Sequence, residues 1–379
     1  MVDFGASSEH RILKESAASF IKKEHSFNRL RELKKDHLGY SREMWKKMAE
    51  LGWLGVLYPE KYGGLGLSFS YAAVLLEEFG AGLLPEPFIS SVLLGGNSVL
   101  RAGTESQKID ILKRIVSGDL MVTVAYLEDN GRYDVNFCTT TAVQTKDKFM
   151  VSGRKIFVMD GCSADKFIVS ARTSGDVSDT NGITLFIIPR KSEGLTITPL
   201  KTMDGRNSCI VELKEVIVSS ESILGEPDKG YPILCDVIDE AAVGLCCEMI
   251  GGMRTVMDMT LNYLCQREQF GRPIGSFQAL QHKAADMFIS KELATSATYY
   301  AVASIESNTG EKAASASLAK AKCSVVYTEM CKMSVQMFGA IGFSNEADIG
   351  LFLKRSKVAE TLFGDAEYHM KRYLNLQEY

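Results

Sequence analysis

The sequence predicts an α+β protein of three successive zones: helical, strand-rich, then helical again. Three observations carry that prediction. Apolar residues follow a helical period up to about residue 117. Seven short Val-, Ile-, Thr- and Phe-rich runs then crowd into about 100 residues. From about residue 232 four long helical segments follow one another, joined by short loops. The expected domains are an N-terminal helical domain (1–118), a middle β-barrel-like domain (119–228) and a C-terminal four-helix bundle (229–379).

Each element follows from a local pattern. Between Glu9 and Lys23, Ile12, Leu13, Ala17, Phe20 and Ile21 recur at helical spacing. Ser41 opens a second helix with Met44, Trp45, Met48 and Leu51 on one face, and Gly52 stops it. PEKYGGLG at 59–66 is a glycine-rich turn, Tyr71–Leu76 an apolar run, and ESQKIDILKRIVSGD a helix closing near Gly118. Strands are expected at 119–127, 138–144, 149–158, 167–171, 183–188, 195–200 and 209–218, enough for a small barrel or sandwich. The long helices are expected at 237–266, 276–307, 311–340 and 346–375.

Composition removes several function classes. The chain has 379 residues, 46% hydrophobic and 24% charged, which excludes disorder and collagen-like structure and allows two or three domains. A net charge of -4 gives no basic field for nucleic acid. No apolar run reaches the ~18 residues of a membrane span. The first 20 residues lack a secretory core and are too acidic for a transit peptide, so a cytoplasmic location is expected. Nine scattered cysteines without a C-x-x-C read as reduced thiols. Five separated histidines and the lack of H-E-x-x-H predict no metal site. G-x-S-x-G, a P-loop and G-x-G-x-x-G after a strand are all missing.

Three segments are unusual for packing alone, and each has two readings. In QREQFGRPIGSFQALQH (266–282) Arg267 ends a long helix and Phe277 restarts one; this is either a solvated corner or a site where Arg267 and Gln278 face an anion such as phosphate. In QMFGAIGFSNEADIG (336–350) Gly339, Ala340 and Gly342 form either a helix end followed by an N-cap at Ser344 or Asn345, or a close backbone approach to a ligand. In TLFGDAEYHMKR (361–372) Asp365 and Glu367 lie on a solvated face or look into a pocket.

Together, PEKYGGLG, QREQFGRPIGSFQALQ and Gln336-Met-Phe-Gly339-Ala340, in the place of a Q-x-x-G-G, resemble the acyl-CoA dehydrogenase flavoproteins over essentially the whole chain. Gly131-Arg-Tyr-Asp134, Leu245-Cys-Cys-Glu-Met-Ile-Gly251, Ala347-Asp-Ile-Gly350 and Phe363-Gly-Asp-Ala-Glu367 look most like the small-subunit pimeloyl-CoA dehydrogenase and steroid-degrading branch, whose members often pair with a larger homologous subunit. The resemblance implies the acyl-CoA dehydrogenase fold, FAD as cofactor, an acyl-CoA substrate oxidised to the α,β-enoyl thioester, and electrons delivered to an electron-transfer flavoprotein. It also implies a homotetramer, or a heterotetramer with the larger subunit. By the same resemblance Arg267 would hold the FAD pyrophosphate across a subunit interface, beside Phe270 and Gln278. Gln336, Gly339 and Ala340 would follow the adenosine side. A strand from Tyr126 through Leu127 to Tyr133 would pack on the isoalloxazine, Phe157 and Met159 would flank the ring, and Asp365 to Glu367 would lie at the dinucleotide end.

Departures from the family pattern bear on the chemistry. T-E-P-x-A-G-S-D here reads Leu127-Glu-Asp-Asn-Gly-Arg-Tyr-Asp134, and W-I-T reads Phe157-Val158-Met159, so two hydroxyls are replaced and backbone N–H groups are left to tune the flavin. The family's glutamate base directly precedes a glycine; that position is Phe363, before Gly364. In a second group the base lies on the preceding long helix, at a position that falls on Ala241. The nearest carboxylates are Asp365, the preferred candidate, and Glu240. Two rivals follow: a non-catalytic FAD-sharing subunit of a heterotetramer, and a flavoprotein of the same fold with other chemistry.

Overall fold

The computed structural model describes residues 7–307 and 310–377, so the first six residues of the segment read for a targeting signal lie outside the described part. The chain forms two compact units, each discontinuous in sequence. Residues up to 32, 69–85 and from 242 onward make one; 33–68 and 86–241 make the other.

Capping and glycine placement set the first helices. α1 (Ser8–Glu24) begins where the Ser7 hydroxyl accepts the His10 N–H, and it buries Ala17 and Ile21. α2 (Phe27–Leu33), too short to show a period, was not expected. α3 (Arg42–Glu50) is capped by Ser41 and buries Met44, Trp45 and Met48; it stops ahead of Gly52, whose φ of 77° suits glycine. α4 (Phe69–Gly82) is buried on nearly every side. A π-helical stretch, Ile89–Gly96, leads into α5 (Asn97–Ala102), also unexpected. α6 (Glu105–Val116) carries a full capping box from Thr104 and Gln107.

The strand-rich zone is one eight-stranded sheet. Its strands are β1 (Val122–Ala125), β2 (Thr141–Thr145), β3 (Lys148–Met159), β4 (Lys166–Arg172), β5 (Ile183–Pro189), β6 (Leu195–Lys201), β7 (Asn207–Ser219) and β8 (Ile223–Leu224). The order is β6-β7-β3-β2-β4-β5-β8, with β1 parallel to β4. Phe149, Val151, Phe167, Phe186, Val211 and Val216 fill its core. All seven expected strands are present, with β8 in addition. The first is shorter than expected: β1 ends at Ala125, and residues 128–137 turn repeatedly through Gly131 N–H to Glu128 C=O and Asp134 N–H to Gly131 C=O bonds. The strand expected from Tyr126 to Tyr133 is therefore a turn-rich loop.

The last zone opens with the 37-residue α7 (Gly230–Gln266), then a tight hairpin of β9 (Glu268–Gln269) and β10 (Arg272–Pro273). α8 (Gln278–Ser307) and α9 (Lys312–Phe338) follow. The single helix expected over 346–375 is two, α10 (Ile349–Thr361) and α11 (Ala366–Leu376). Phe363 (φ 61°) and Gly364 (φ 117°) leave helical space between them, and the Asp365 carboxylate restarts the helix by accepting the Tyr368 N–H at 2.9 Å. The residue preceding α10 is Asp348, not Ser344 or Asn345.

In the helical unit α4 and α7 cross backbone to backbone. A Cβ on Gly80 would lie 1.8 Å from the Glu248 carbonyl oxygen, and one on Gly251 would lie 1.8 Å from that of Glu77. Beside this crossing Arg355 Nε donates to Glu248 Oε1 at 2.7 Å, both side chains being buried. Gly251→Ala should cost about 3 kcal/mol or more, because backbone cannot yield as a side-chain tip can. Gly310→Ala, with open space around it, should stay within about 0.5 kcal/mol. Urea unfolding of the two variants measures the difference.

Candidate functional site

Within the helical unit the end of α7 and the end of α9 are fastened together. Tyr263 stacks on Phe338 at 4.3 Å, and its hydroxyl donates to the Phe338 carbonyl at 3.1 Å. One turn earlier the Thr260 hydroxyl donates to Ser334 Oγ. Arg267 follows directly after α7, and its carbonyl accepts the Ile274 N–H at 2.8 Å, closing the hairpin. Phe270 stands at the hairpin tip, 90% exposed, with φ 55°. Phe277 meets it edge-on, and Arg272 covers the Phe277 ring at 4.2 Å. Gln278 is the first residue of α8 and is exposed. Gln336, Gly339 and Ala340 are exposed at the end of α9; a Cβ on Gly339 would meet no atom within 4 Å. Among the described residues the side chains of Arg267, Gln278 and Gln336 make no hydrogen bond or ion pair. The structure thus gathers Arg267, Gln336, Gly339 and Ala340 at joined helix ends, with a guanidinium and a carboxamide uncommitted among the described residues.

The turn between α10 and α11 is held from beneath. Lys320 on α9 has no exposed surface, and its ammonium donates to Gly364 C=O at 2.7 Å, Ser324 Oγ at 2.8 Å and Glu360 C=O at 3.1 Å. Burial lowers its pKa to about 8. His369 Nε2 donates to the Phe363 carbonyl at 3.0 Å, while its buried Nδ1 has no partner among the described residues. Phe363 is buried. Asp365 uses Oδ1 for the α11 cap, and Oδ2 has no partner among the described residues. Glu367 is exposed and pairs with Lys371 at 2.6 Å.

The sheet unit carries the other residues. Tyr126 is buried, Leu127 and Tyr133 are half-buried, and the Leu127 carbonyl accepts the Ile156 N–H at 2.9 Å. β3 slips register against β7 between Lys155 and Val158, which makes Ile156–Phe157 a bulge. Phe157 is 59% exposed with φ 49°, a costly conformation for an aromatic residue. Met159 is half-buried two residues on. Glu240 is buried in the same unit with both oxygens engaged, Oε1 by the Arg101 guanidinium and Oε2 by Asn97 Nδ2 at 3.0 Å.

Sequence reasoning missed Lys155, Glu128, Lys320 and His369. Lys155 and Lys320 each fall on a buried position of a strand or helix, a pattern break that marks a cation needing buried acceptors. Their acceptors Glu128, Glu360 and Gly364 lie 27, 40 and 44 residues away and left no local signal. All nine cysteines are free thiols. Among the described residues no three His, Cys, Asp or Glu side chains group to hold a metal, and no helix is long and apolar enough to cross a membrane.

Three family models match the chain in order: the acyl-CoA dehydrogenase N-terminal domain over 7–119, its middle domain over 123–216 and its C-terminal domain over 228–374. The probable acyl-CoA dehydrogenase YngJ of Bacillus subtilis is 30% identical, with 97% of each chain covered. The caffeyl-CoA reductase–Etf complex subunit CarC of Acetobacterium woodii is 30% identical over 90% of each. Among solved structures, the Tcur3481-Tcur3483 steroid ACAD superposes with a TM-score of 0.88 at 28% identity over 98% of each chain. The chain belongs to the acyl-CoA dehydrogenase family, whose members are FAD-dependent oxidoreductases acting on the CH–CH group of acyl-CoA. The donor chemistry fits that cofactor: a guanidinium and two carboxamides, unpaired among the described residues, suit a pyrophosphate and its nucleoside.

Two buried groups set the response to acid. Burial, then the Lys320 charge, lowers the His369 pKa from 6.5 to about 3. Burial alone would raise Glu128, but the Lys155 ammonium and the Lys155, Thr139 and Thr140 hydrogen bonds outweigh it and hold the group at about 2. Both pKa values are depressed on folding, so both contributions are complete above the unfolded values. The His369 contribution is lost as pH falls from 6.5 towards 3, the Glu128 contribution from 4.5 towards 2. His369→Gln should therefore flatten the loss of stability between pH 6.5 and 4.5, where the His369 contribution is on the order of 2–3 kcal/mol. Unfolding titrations at fixed pH steps measure it.

Proposed function

We propose that this chain is the FAD-binding subunit of an acyl-CoA dehydrogenase of the small-subunit pimeloyl-CoA and steroid-degrading branch, forming an α,β-enoyl-CoA thioester and delivering electrons to an electron-transfer flavoprotein. The observation that carries it is the uncommitted donor pair of Arg267 and Gln336 at the joined ends of α7 and α9, with Gln278 opening α8. In this reading Arg267 clamps a pyrophosphate held by a neighbouring subunit, with Phe270 and Gln278 beside it, and Gln336, Gly339 and Ala340 line the adenosine side. The residues at 126–133 and 157–159 serve the ring end. FAD bound there supplies hydride acceptance from the substrate β-carbon. We assign the domains as 1–118, 119–228 and 229–379, place the protein in the cytoplasm with its thiols reduced, and expect a tetramer with itself or with a larger homologous subunit. The steroid relative and the Etf-complex relative support the branch and the electron acceptor.

For the base we assign Asp365 over Glu240. Among the described residues Asp365 keeps one oxygen without a partner, whereas both Glu240 oxygens are held. An α-proton taken by Asp365 would go to Oδ2 while Oδ1 keeps the cap, so α11 need not unwind. A second reading, a subunit that shares FAD and leaves the base to its partner, is favoured by Phe363 standing where the family's glutamate belongs.

The purified protein should be yellow, and Arg267→Ala should weaken FAD binding ~10-fold or more, since one charged hydrogen bond contributes about 1.5–3 kcal/mol. Because Arg267 is exposed, folding should be unaffected; full affinity in that variant would remove the assignment. Light scattering should give a tetramer, and a stable FAD-bound monomer would contradict it.

Anaerobic flavin bleaching by acyl-CoA esters tests the base. Asp365→Asn keeps a good N-cap and FAD but should slow bleaching ~100-fold or more. Bleaching that begins only when the larger subunit is added would establish the second reading instead.

A further inference from the structure

We propose that the buried Glu128–Lys155 pair is a positioning device that fixes the ring-facing backbone of the sheet unit and so sets how tightly, and at what reduction potential, that unit holds the flavin. This rests on the cofactor reading above. Lys155 has no exposed surface; its ammonium donates to Glu128 Oε1 at 2.6 Å and Ser170 Oγ at 2.9 Å. Glu128 is equally committed. Oε1 accepts the Thr140 N–H at 3.0 Å and hydroxyl at 2.7 Å, and Oε2 accepts the Thr139 N–H at 2.6 Å and the Thr139 hydroxyl.

The position of the pair in the chain gives it this role. Glu128 directly follows Tyr126–Leu127, and Lys155 directly precedes the Ile156–Phe157 bulge. Between them runs the Leu127 C=O to Ile156 N–H bond at 2.9 Å. One ion pair therefore pins both segments assigned to the ring. A strained residue such as Phe157, at φ 49°, keeps its conformation only where its surroundings over-determine it. For stability alone a buried ion pair is a poor choice, since apolar residues of similar volume often serve as well or better. What the pair adds is a directional constraint on two loops at once.

The test uses the FAD-loaded protein. Glu128→Leu combined with Lys155→Met removes both charges and keeps the volume, so the fold should survive. Expected is a ~10-fold rise in the Kd for FAD, a shifted reduction midpoint and an altered visible flavin band, as misplacement of a supporting backbone commonly causes. Arg267→Ala is the contrast: it should raise the Kd while leaving the band and midpoint unchanged. A folded double variant with wild-type Kd, band and midpoint would overturn the positioning role and leave the cofactor reading standing. A wild type that binds no FAD would overturn both. Should the double variant not fold, Thr139→Ala decides: a smaller change in the same three readouts supports the role, and no change in them overturns it.

Discussion

A buried ammonium has three donors that must all find acceptors, and this structure meets that constraint twice. Lys155 in the sheet unit and Lys320 in the helical unit are both fully buried. Each is satisfied mainly by groups from other chain segments: Glu128, Ser170 and the Cys138 sulfur for one, and the Gly364 and Glu360 carbonyls for the other, which also reaches Ser324 one turn along its own helix. The cost of leaving such a group unsatisfied makes these contacts obligatory rather than optional. Both lysines hold loops that carry proposed site residues. Lys155 secures the 126–131 and 156–157 segments, and Lys320 secures the turn from Thr361 to Asp365.

That second turn is held by contacts to its backbone. Phe363 keeps a positive φ and Gly364 a φ of 117°, with the chain pinned by Lys320 and His369. The turn depends on backbone carbonyls and not on what residue 363 carries. A carboxylate can therefore be lost at 363 without loss of the turn, and Asp365, two residues on, is left as the only carboxylate of the turn. Its first duty is to cap α11, which explains why an aspartate stands there whatever chemistry it also serves.

Hydrophobic period and turn chemistry exposed most of the fold in the sequence. The strands from Lys148 to Ser219 read clearly because they are rich in Val, Ile, Thr and Phe and are separated by Gly, Asp, Asn or Ser. α2 and the Ile89–Ala102 stretch did not, since short or wholly buried helices lack a polar face to mark the period. The break at Phe363–Gly364 was also hidden: no proline marks it, and its cause is a set of hydrogen bonds from Lys320 and His369 that a local window cannot contain. Of the candidate site, Arg267, Gln278 and Gln336 stood out through their motifs, whereas Glu128 and Lys155 did not, because 27 residues separate them.

The sequence by itself determined the α–β–α order, the family and the identity of the residues available for the cofactor, because period, capping and motif are local properties of a chain. Tertiary structure alone decided which of those residues are committed. Among the described residues folding joins the Glu240 side chain to Arg101 and Asn97, gives the Asp365 carboxylate one bond, to the nearby Tyr368 N–H, and leaves the Arg267 guanidinium with none. A carboxylate or guanidinium acquires its chemical role from its partners and its exposure, and both are created only by the fold.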